Sequence, residues 1–294
     1  MPISLLKQLI TEGAVDMLQY FVEHSHRIWC KGRSMKRIVV DKVSFSYNEE
    51  KVVQDLSLDI ESGDFICILG ESGCGKSTLL KMLAGLSFPN TGSIQVEGES
   101  ISGTGLDRGV VFQDYGLYPW MTTGKNIMLS LKQKYPNKGK AELKQEILHY
   151  LTQVGLEEAV YQKYPNELSG GMRQRCALCR AFALDPPILL MDEPFGALDA
   201  VTRFRLQSMV KEMWTKTKKN RKTIVFVTHD VDEALYLATK IFVLGMKPSK
   251  VIYQYELEDR ESQRSRSELY QKPEYITLRK EIMDVLNKDI EERI

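Results

Sequence analysis

The chain has 294 residues, of which 43% are hydrophobic, and its 40 basic and 39 acidic residues leave a formal net charge of +1. This composition is ordinary for a globular protein and excludes the disordered and fibrous classes. The balanced charge gives no electrostatic footprint for wrapping nucleic acid, so we expect no nucleic-acid partner. No stretch reaches the roughly eighteen uninterrupted apolar residues of a membrane-spanning helix, so any role at a membrane is expected from outside the lipid.

The N-terminal segment, residues 1–34, stands apart from the rest of the chain. Its apolar residues fall on one wide helical face and a basic run follows them, which predicts an amphipathic helix. Such an extension either packs on the domain, is frayed, or rests on a membrane or partner. Met35 is an alternative natural start, in which case residues 1–34 are an upstream extension of the reading frame.

Two kinds of strand pattern follow. Residues 37–53, "RIVVDKVSFSYNEEKVV", alternate and are rich in β-branched side chains, which predicts antiparallel strands. Residues 65–70, "FICILG", form a short apolar run typical of a buried strand. Similar runs recur at "RGVVFQ", "PPILLMDEP", "TIVFVTHD" and "KIFVLG" and are separated by helical patterns. Strands that alternate with helices favour an α/β fold with a mainly parallel sheet.

A helical insert and a helical tail complete the organisation. Residues 114–184, approximately, are predicted to form a helical subdomain within a domain that spans residues 35–260. The tail, residues 261–294, is predicted to form one or two polar helices. Among the five cysteines, Cys176 and Cys179 form a CxxC pair, but no second pair lies at ligand spacing. We therefore interpret them as small apolar helix residues in a protein of the reducing cytosol.

The clearest motif is "GESGCGKST", which matches G-x-x-x-x-G-K-[ST] between a buried strand and a helix. Glycines allow successive backbone N–H groups to point at phosphates, and the helix N-terminus adds a favourable partial charge. Lys76 is expected to reach the β- and γ-phosphates, Ser77 to hold Mg²⁺ and Thr78 to donate to the α-phosphate. The predicted nucleotide-binding residues of this loop are Gly70, Glu71, Ser72, Gly73, Cys74, Gly75, Lys76, Ser77 and Thr78.

Two further strand ends carry candidate catalytic groups. "ILLMDEP" ends in Asp192 and Glu193, and the Mg²⁺ shell needs a carboxylate at the tip of a strand neighbouring the phosphate loop, which assigns Asp192 to the metal. Glu193 is expected to turn to the other side of the strand and act as the general base for hydrolysis. His229 ends "TIVFVTHD" and either reaches the γ-phosphate or caps the strand.

A second anion-binding helix start, "LSGGMRQR", is present at residues 168–175. The order of phosphate loop, Gln113, LSGG, "LLMDEP", "GALD" and "THD", over about residues 36–244, resembles the ATPase subunit of ABC transporters. The resemblance implies a P-loop NTPase of the ABC type, with a mainly parallel core sheet, an antiparallel β subdomain and a helical insert. It also implies ATP and Mg²⁺ as ligands.

The same resemblance assigns further residues. Tyr47 would stack on adenine, and Gln113 would contact Mg²⁺ and the attacking water. Asp199 would lie between the two ATP sites of a head-to-tail dimer. The LSGG residues would bind the γ-phosphate held by the partner. They are Ser169, Gly170 and Gly171. Because all these positions match, a homodimer is implied, and a heterodimer with a related ATPase stays open.

The stretch "FQDYGLYPWMTT" narrows the branch of the family. Its Pro119-Trp120 pair is similar to importer subunits for nitrate, taurine, sulfonates, cyanate, bicarbonate and vitamin-precursor pyrimidines, whereas Tyr115 and Gly116 depart from the usual polar pair. The resemblance implies a peripheral subunit on the cytoplasmic face of the membrane. Its partners would be a permease and, indirectly, an extracytoplasmic solute-binding protein. The solute would be a small anion or a sulfonate-like compound.

Other interpretations stay open. A split exporter would carry the same ATP site, and a non-transport ABC ATPase would have a soluble partner. Within the loop, Tyr118 and Trp120 either face a permease helix or pin the helical insert to the sheet domain.

Overall fold

The computed structural model describes residues 36–196, 198–216, 221–257 and 266–292. The predictions for residues 1–34 and for Met35 as a start lie outside the described residues. None of the described helices is long and apolar enough to cross a membrane.

The strands of the described residues are β1 (Ile38–Tyr47), β2 (Glu50–Ile60), β3 (Phe65–Leu69), β4 (Thr91–Val96), β5 (Glu99–Ser100), β6 (Arg108–Val111), β7 (Ile188–Asp192), β8 (Thr223–Thr228), β9 (Lys240–Leu244) and β10 (Val251–Glu256). The α-helices are α1 (Lys76–Leu83), α2 (Thr123–Lys134), α3 (Lys140–Gln153), α4 (Gly170–Leu184), α5 (Ala200–Lys216), α6 (Val231–Leu237), α7 (Arg266–Leu269) and α8 (Pro273–Glu291). Two short 3-10 helices, Glu158–Gln162 and Pro165–Glu167, connect α3 to α4.

The strands form two sheets. A four-stranded sheet in the order β2-β1-β4-β5 is antiparallel, and a six-stranded sheet has the order β10-β9-β3-β8-β7-β6. The pairs β3–β9, β3–β8, β8–β7 and β7–β6 are parallel, and only β10 runs antiparallel to its neighbour. The predicted mainly parallel core sheet and antiparallel β subdomain are thus confirmed.

The continuous apolar runs are explained by burial on both faces of the core sheet. In β3, Phe65, Cys67 and Leu69 enter one hydrophobic cluster, while Ile66 and Ile68 enter the other. The first cluster also contains residues of the helical insert and of α8, and the second contains residues of α1 and the antiparallel sheet. A strand covered on both sides has no polar face, so it shows no alternation.

The helical insert lies between β6 and β7 in the chain and packs on the first cluster. Leu143, Ile147 and Leu151 are fully buried along α3, as their helical spacing predicts. Cys176 and Cys179 of α4 are buried in the same cluster, and burial raises the pKa of the Cys176 thiol to about 12. Both cysteines therefore serve as small apolar core groups.

One turn of the fold depends on the absence of a side chain. Gly85 follows α1 with φ of 74°, and a Cβ placed there would lie 2.0 Å from the carbonyl oxygen of Gly103. Gly98 has nearly the same backbone, with φ of 77°, but nothing lies within 4 Å of its Cβ position. Substitution of Gly98 thus introduces backbone strain alone, whereas substitution of Gly85 introduces the same strain and a steric overlap.

We expect Gly85→Ala to lower the free energy of unfolding by about 3 kcal/mol or more, because left-handed strain of about 1–2 kcal/mol adds to an overlap that the backbone of Gly103 must relieve. Gly98→Ala should cost only about 1–2 kcal/mol, the strain alone. Denaturant unfolding of both variants measures the difference. Equal losses would show that the contact with Gly103 is unimportant.

Candidate active site

The phosphate loop, residues 70–75, joins the buried end of β3 to α1. Gly75 is the N-cap of α1 with φ of 111°, and a Cβ there would lie 2.8 Å from the hydroxyl of Ser249. Ser249 is buried and its hydroxyl hydrogen bonds to the carbonyl oxygens of Val52 and Cys74. The loop is thus packed against the β2 strand, and no larger residue fits at position 75 without displacing Ser249.

Lys76 is held inside the loop. Its Nζ donates to the carbonyl oxygens of Gly70 and Glu71, each at 2.8 Å, and only 4% of the residue is exposed. These two hydrogen bonds hold the Lys76 ammonium at the N-terminus of α1. The backbone N–H groups there already favour an anion. The geometry is that of a phosphate-binding loop.

Asp192 lies at the end of β7, beside the phosphate loop. Burial raises the pKa of its carboxyl, and the nearby Ser77 hydroxyl opposes that shift. Its Oδ1 atom is buried and has no hydrogen-bond partner. A buried carboxylate oxygen normally has a partner, so this atom and the Ser77 hydroxyl are the oxygen groups that could hold a cation.

Glu193 follows in a left-handed conformation, with φ of 45°. Its backbone is fixed on both sides, since its N–H donates to the carbonyl oxygen of Val227 at 3.0 Å and its carbonyl oxygen accepts from Gln174 Nε2 at 3.1 Å. Its Oε2 lies 3.3 Å from Nδ1 of His229, which is more exposed than Glu193. The turn after β7 therefore directs Glu193 away from Asp192 and toward His229.

The positions of these groups depend on strand order. Asp192 was expected on a strand neighbouring the phosphate loop, but β8 lies between β3 and β7. His229, directly after β8, consequently sits between Lys76 and Glu193 along the edge where the parallel strands end. Periodicity along the chain carries no information on that order, which long-range pairing decides.

The remaining predicted site residues lie on the surface of the single chain. Gln113 and Asp199 are exposed, as is Tyr47, whose ring packs edge-on against Phe45 at 4.8 Å. Ser169 is exposed and caps α4, accepting from the N–H of Met172 at 3.3 Å. The capped helix start also contains Gly170 and Gly171.

Sequence reasoning missed the role of Tyr115. This residue has φ of 70°, and its ring lies under the guanidinium of Arg173 at 5.4 Å. Arg180 donates to the carbonyl oxygens of Tyr115 and Gly116. The segment after Gln113 is therefore attached to α4, the helix that begins with LSGG.

The aromatic loop is organised by a buried amide that sequence reasoning also missed. Asn126, on α2, accepts from the N–H of Tyr118 at 2.7 Å and donates to the carbonyl oxygens of Tyr118, Met121 and Thr122. The buried Asn126 side chain thereby provides hydrogen-bond partners for backbone groups of the loop. Trp120 remains 63% exposed, and its ring lies 5.5 Å from that of the 43% exposed Tyr118 in a tilted arrangement.

A parallel sheet with a phosphate loop, a buried aspartate and a glutamate–histidine pair at its carboxyl edge defines a P-loop nucleotide-hydrolysing protein. Comparisons with known proteins agree. The family model described as ABC transporter matches residues 53–196.

Among the relatives, the nitrate import ATP-binding protein NrtD of Synechococcus elongatus is 41% identical over 80% of this chain and 84% of its own. The bicarbonate transport ATP-binding protein CmpD of the same species is 38% identical over 85% of this chain and 90% of its own. The solved dimeric structure of MJ0796, a bacterial ABC transporter cassette, superimposes with a TM-score of 0.69 at 32% identity, covering 75% of this chain and 99% of that one. The chain belongs to the ABC transporter family, as an ATP-binding subunit and ATPase.

Proposed function

We propose that this chain is the ATPase subunit of a binding-protein-dependent importer for a small anion or sulfonate-like solute, of the nitrate, taurine or alkanesulfonate type. The observation that carries the ATPase chemistry is the grouping of Lys76, Asp192, Glu193 and His229 along one sheet edge. The importer assignment is supported by the relatives, whose names specify nitrate import and bicarbonate transport.

Each group has a role in the proposed hydrolysis. Lys76 binds the β- and γ-phosphates. Glu193 accepts the proton of the water that attacks the γ-phosphorus, and the bond from that phosphorus to the bridging oxygen of ADP breaks. His229 contacts the γ-phosphate and is held by Glu193. Gln113 contacts the attacking water, and Tyr47 stacks on adenine.

Asp192 and Ser77 fit a magnesium ion. Their hydroxyl and carboxylate oxygens are the hard ligands that Mg²⁺ prefers, and the unpartnered Oδ1 of Asp192 has the buried acceptor capacity such a ligand needs. Mg²⁺ would neutralise phosphate charge when bound with ATP. We assign it to Ser77 and Asp192, with Gln113 as a further ligand.

The proposed working form is a homodimer in which ATP lies between the subunits. The accessible start of α4 is proposed to bind the γ-phosphate held by the partner, through Ser169, Gly170 and Gly171. Asp199 is proposed to lie between the two ATP sites. The dimeric structure of MJ0796 supports a dimer as the working form. Loss of the γ-phosphate would remove the shared ligand and let the halves separate.

The proposed membrane partner is a permease, contacted from the cytoplasmic face. Trp120 and Tyr118 project from the loop that Asn126 holds, and exposed aromatic groups of this kind are typical of interaction sites. Since neither ring is buried in the domain core, the docking role is favoured over the role of pinning the insert.

We expect Trp120→Ala to leave the stability and ATPase activity of the isolated subunit unchanged, within about 0.5 kcal/mol for an exposed site, but to disrupt assembly with the permease or transport. Ile276→Ala, which also truncates a largely exposed apolar side chain, is the matched control. Detergent co-purification and vesicle transport measure the two effects. Equal loss of ATPase in the isolated subunit and in the complex would contradict docking.

The decisive experiment on the solute is reconstitution of the complex in vesicles, with ATPase measured while candidate solutes are presented with the binding protein. Stimulation by nitrate, bicarbonate or a sulfonate identifies the class. Purification only with soluble partners would defeat the importer assignment.

A further inference from the structure

The backbone on both sides of His229 is fixed by one glutamate of α6. Asp230 caps α6 by accepting from the N–H of Glu233 at 3.1 Å, and the N–H of Asp230 donates to the hydroxyl of Thr228 at 3.0 Å. That hydroxyl in turn donates to the side chain of Glu233. Thr228 and Asp230, the two neighbours of His229, are thus tied to Glu233.

Glu233 is connected to the C-terminal tail through a buried amide. Gln207, on α5, donates from Nε2 to Glu233 and accepts at Oε1 from Arg266, the first residue of α7. The Arg266 guanidinium lies over the rings of Phe204 and Tyr236, at 5.0 and 4.6 Å. Hydrogen bonds therefore run without a break from the tail to the strand end that carries His229.

A second tail contact holds the same helix from outside. Tyr275 and Arg279 of α8 both donate to Oδ1 of Asp232, at 2.9 and 2.8 Å. The ring of Tyr275 is buried in the core cluster, so α8 is anchored independently of this contact. Arg279 is half exposed and its ion pair is weak on its own, but Tyr275 places a rigid donor on Asp232.

We propose that the C-terminal tail is a positioning device for His229, acting through Asp232 and Glu233 of α6. This inference rests on the proposed function, in which His229 contacts the γ-phosphate. The tail residues touch neither substrate nor the reacting atoms. They fix the position and rotation of α6, which starts two residues after His229. A shift of α6 would move His229 relative to Glu193.

The test uses the full-length protein with Glu233→Gln and Tyr275→Phe, each of which keeps the shape of its side chain. Loss of one of these hydrogen bonds should lower kcat for ATP hydrolysis by about threefold to tenfold. The KM for ATP should stay within about twofold of wild type because the phosphate loop is untouched. Tyr270→Phe, which removes a hydroxyl from the neighbouring exposed ring of the tail, should keep the wild-type kcat.

Coupling to His229 distinguishes positioning from a general loss of stability. In a His229→Ala background, Tyr275→Phe should cause no further fall in residual hydrolysis, since the group it positions is missing. If Tyr275→Phe and Glu233→Gln leave kcat unchanged while His229→Ala lowers it, the tail inference is wrong and the proposed role of His229 stands. If His229→Ala itself keeps full activity, the proposed function of His229 fails. Additive losses in both backgrounds would also overturn the inference.

Discussion

Replacement of Glu193 by glutamine is expected to lower the rate of ATP hydrolysis by about 10²- to 10⁴-fold, the contribution typical of a general base. Glutamine keeps the size of the side chain and can still hydrogen bond to His229, which lies 3.3 Å from the carboxylate. ATP binding should persist because Lys76 and the loop are unchanged. The variant should therefore trap ATP in a closed dimer, which gel filtration with and without ATP would detect.

The control for Glu193→Gln is Glu99→Gln, the same change at an exposed position on β5. It should hydrolyse ATP at the wild-type rate. Wild-type turnover by Glu193→Gln itself would show that another group takes the proton from water.

Lys76→Met is expected to weaken ATP binding by about 10²-fold or more. Hydrogen bonds to charged groups are worth about 1.5–3 kcal/mol each, and the ammonium reaches more than one phosphate oxygen in the proposed complex. Its Nζ now donates to the carbonyl oxygens of Gly70 and Glu71, so phosphate oxygens would replace part of an existing hydrogen-bond set.

Binding in the Lys76→Met variant is measured by the ATP-induced rise in melting temperature, which depends on affinity through mass action. That rise should nearly disappear. Lys81→Met, on the exposed side of the same helix, should retain it. An undiminished rise for Lys76→Met would contradict the role of the ammonium.

The local structure around several candidate site residues was predictable because each lies in a short motif of the sequence, whereas their catalytic roles remain predictions. The phosphate loop needs its glycines, Lys76 and Ser77 in one short run, Asp192 ends a buried strand, and Glu193 and His229 each follow one directly. The fold class was predictable for the same reason, since apolar runs alternate with helical patterns. The roles assigned to Tyr47, Gln113, Ser169, Gly170, Gly171 and Asp199 came from the family resemblance, and they too remain predictions.

The parts that escaped prediction depend on contacts between distant segments. Nothing near Asn126 indicates that its amide holds the aromatic loop, since asparagine at the start of a helix is usually a surface residue. Likewise, Tyr275 meets Asp232 across 43 positions of sequence, and Arg266 meets Gln207 across 59. Such pairings follow from how the tail packs, which no local pattern encodes.

The placement of β8 between β3 and β7 also bears on biosynthesis. The ribosome makes β3 and the phosphate loop first and β7 with Asp192 later. These two strands do not pair with each other in the folded sheet. The strand that separates them, Thr223–Thr228, is made after both. A nascent chain that ends before residue 223 therefore lacks the strand that lies between β3 and β7. Lys76, Glu193 and His229 reach their final arrangement only when β8 pairs with these two strands, both of which were synthesised earlier.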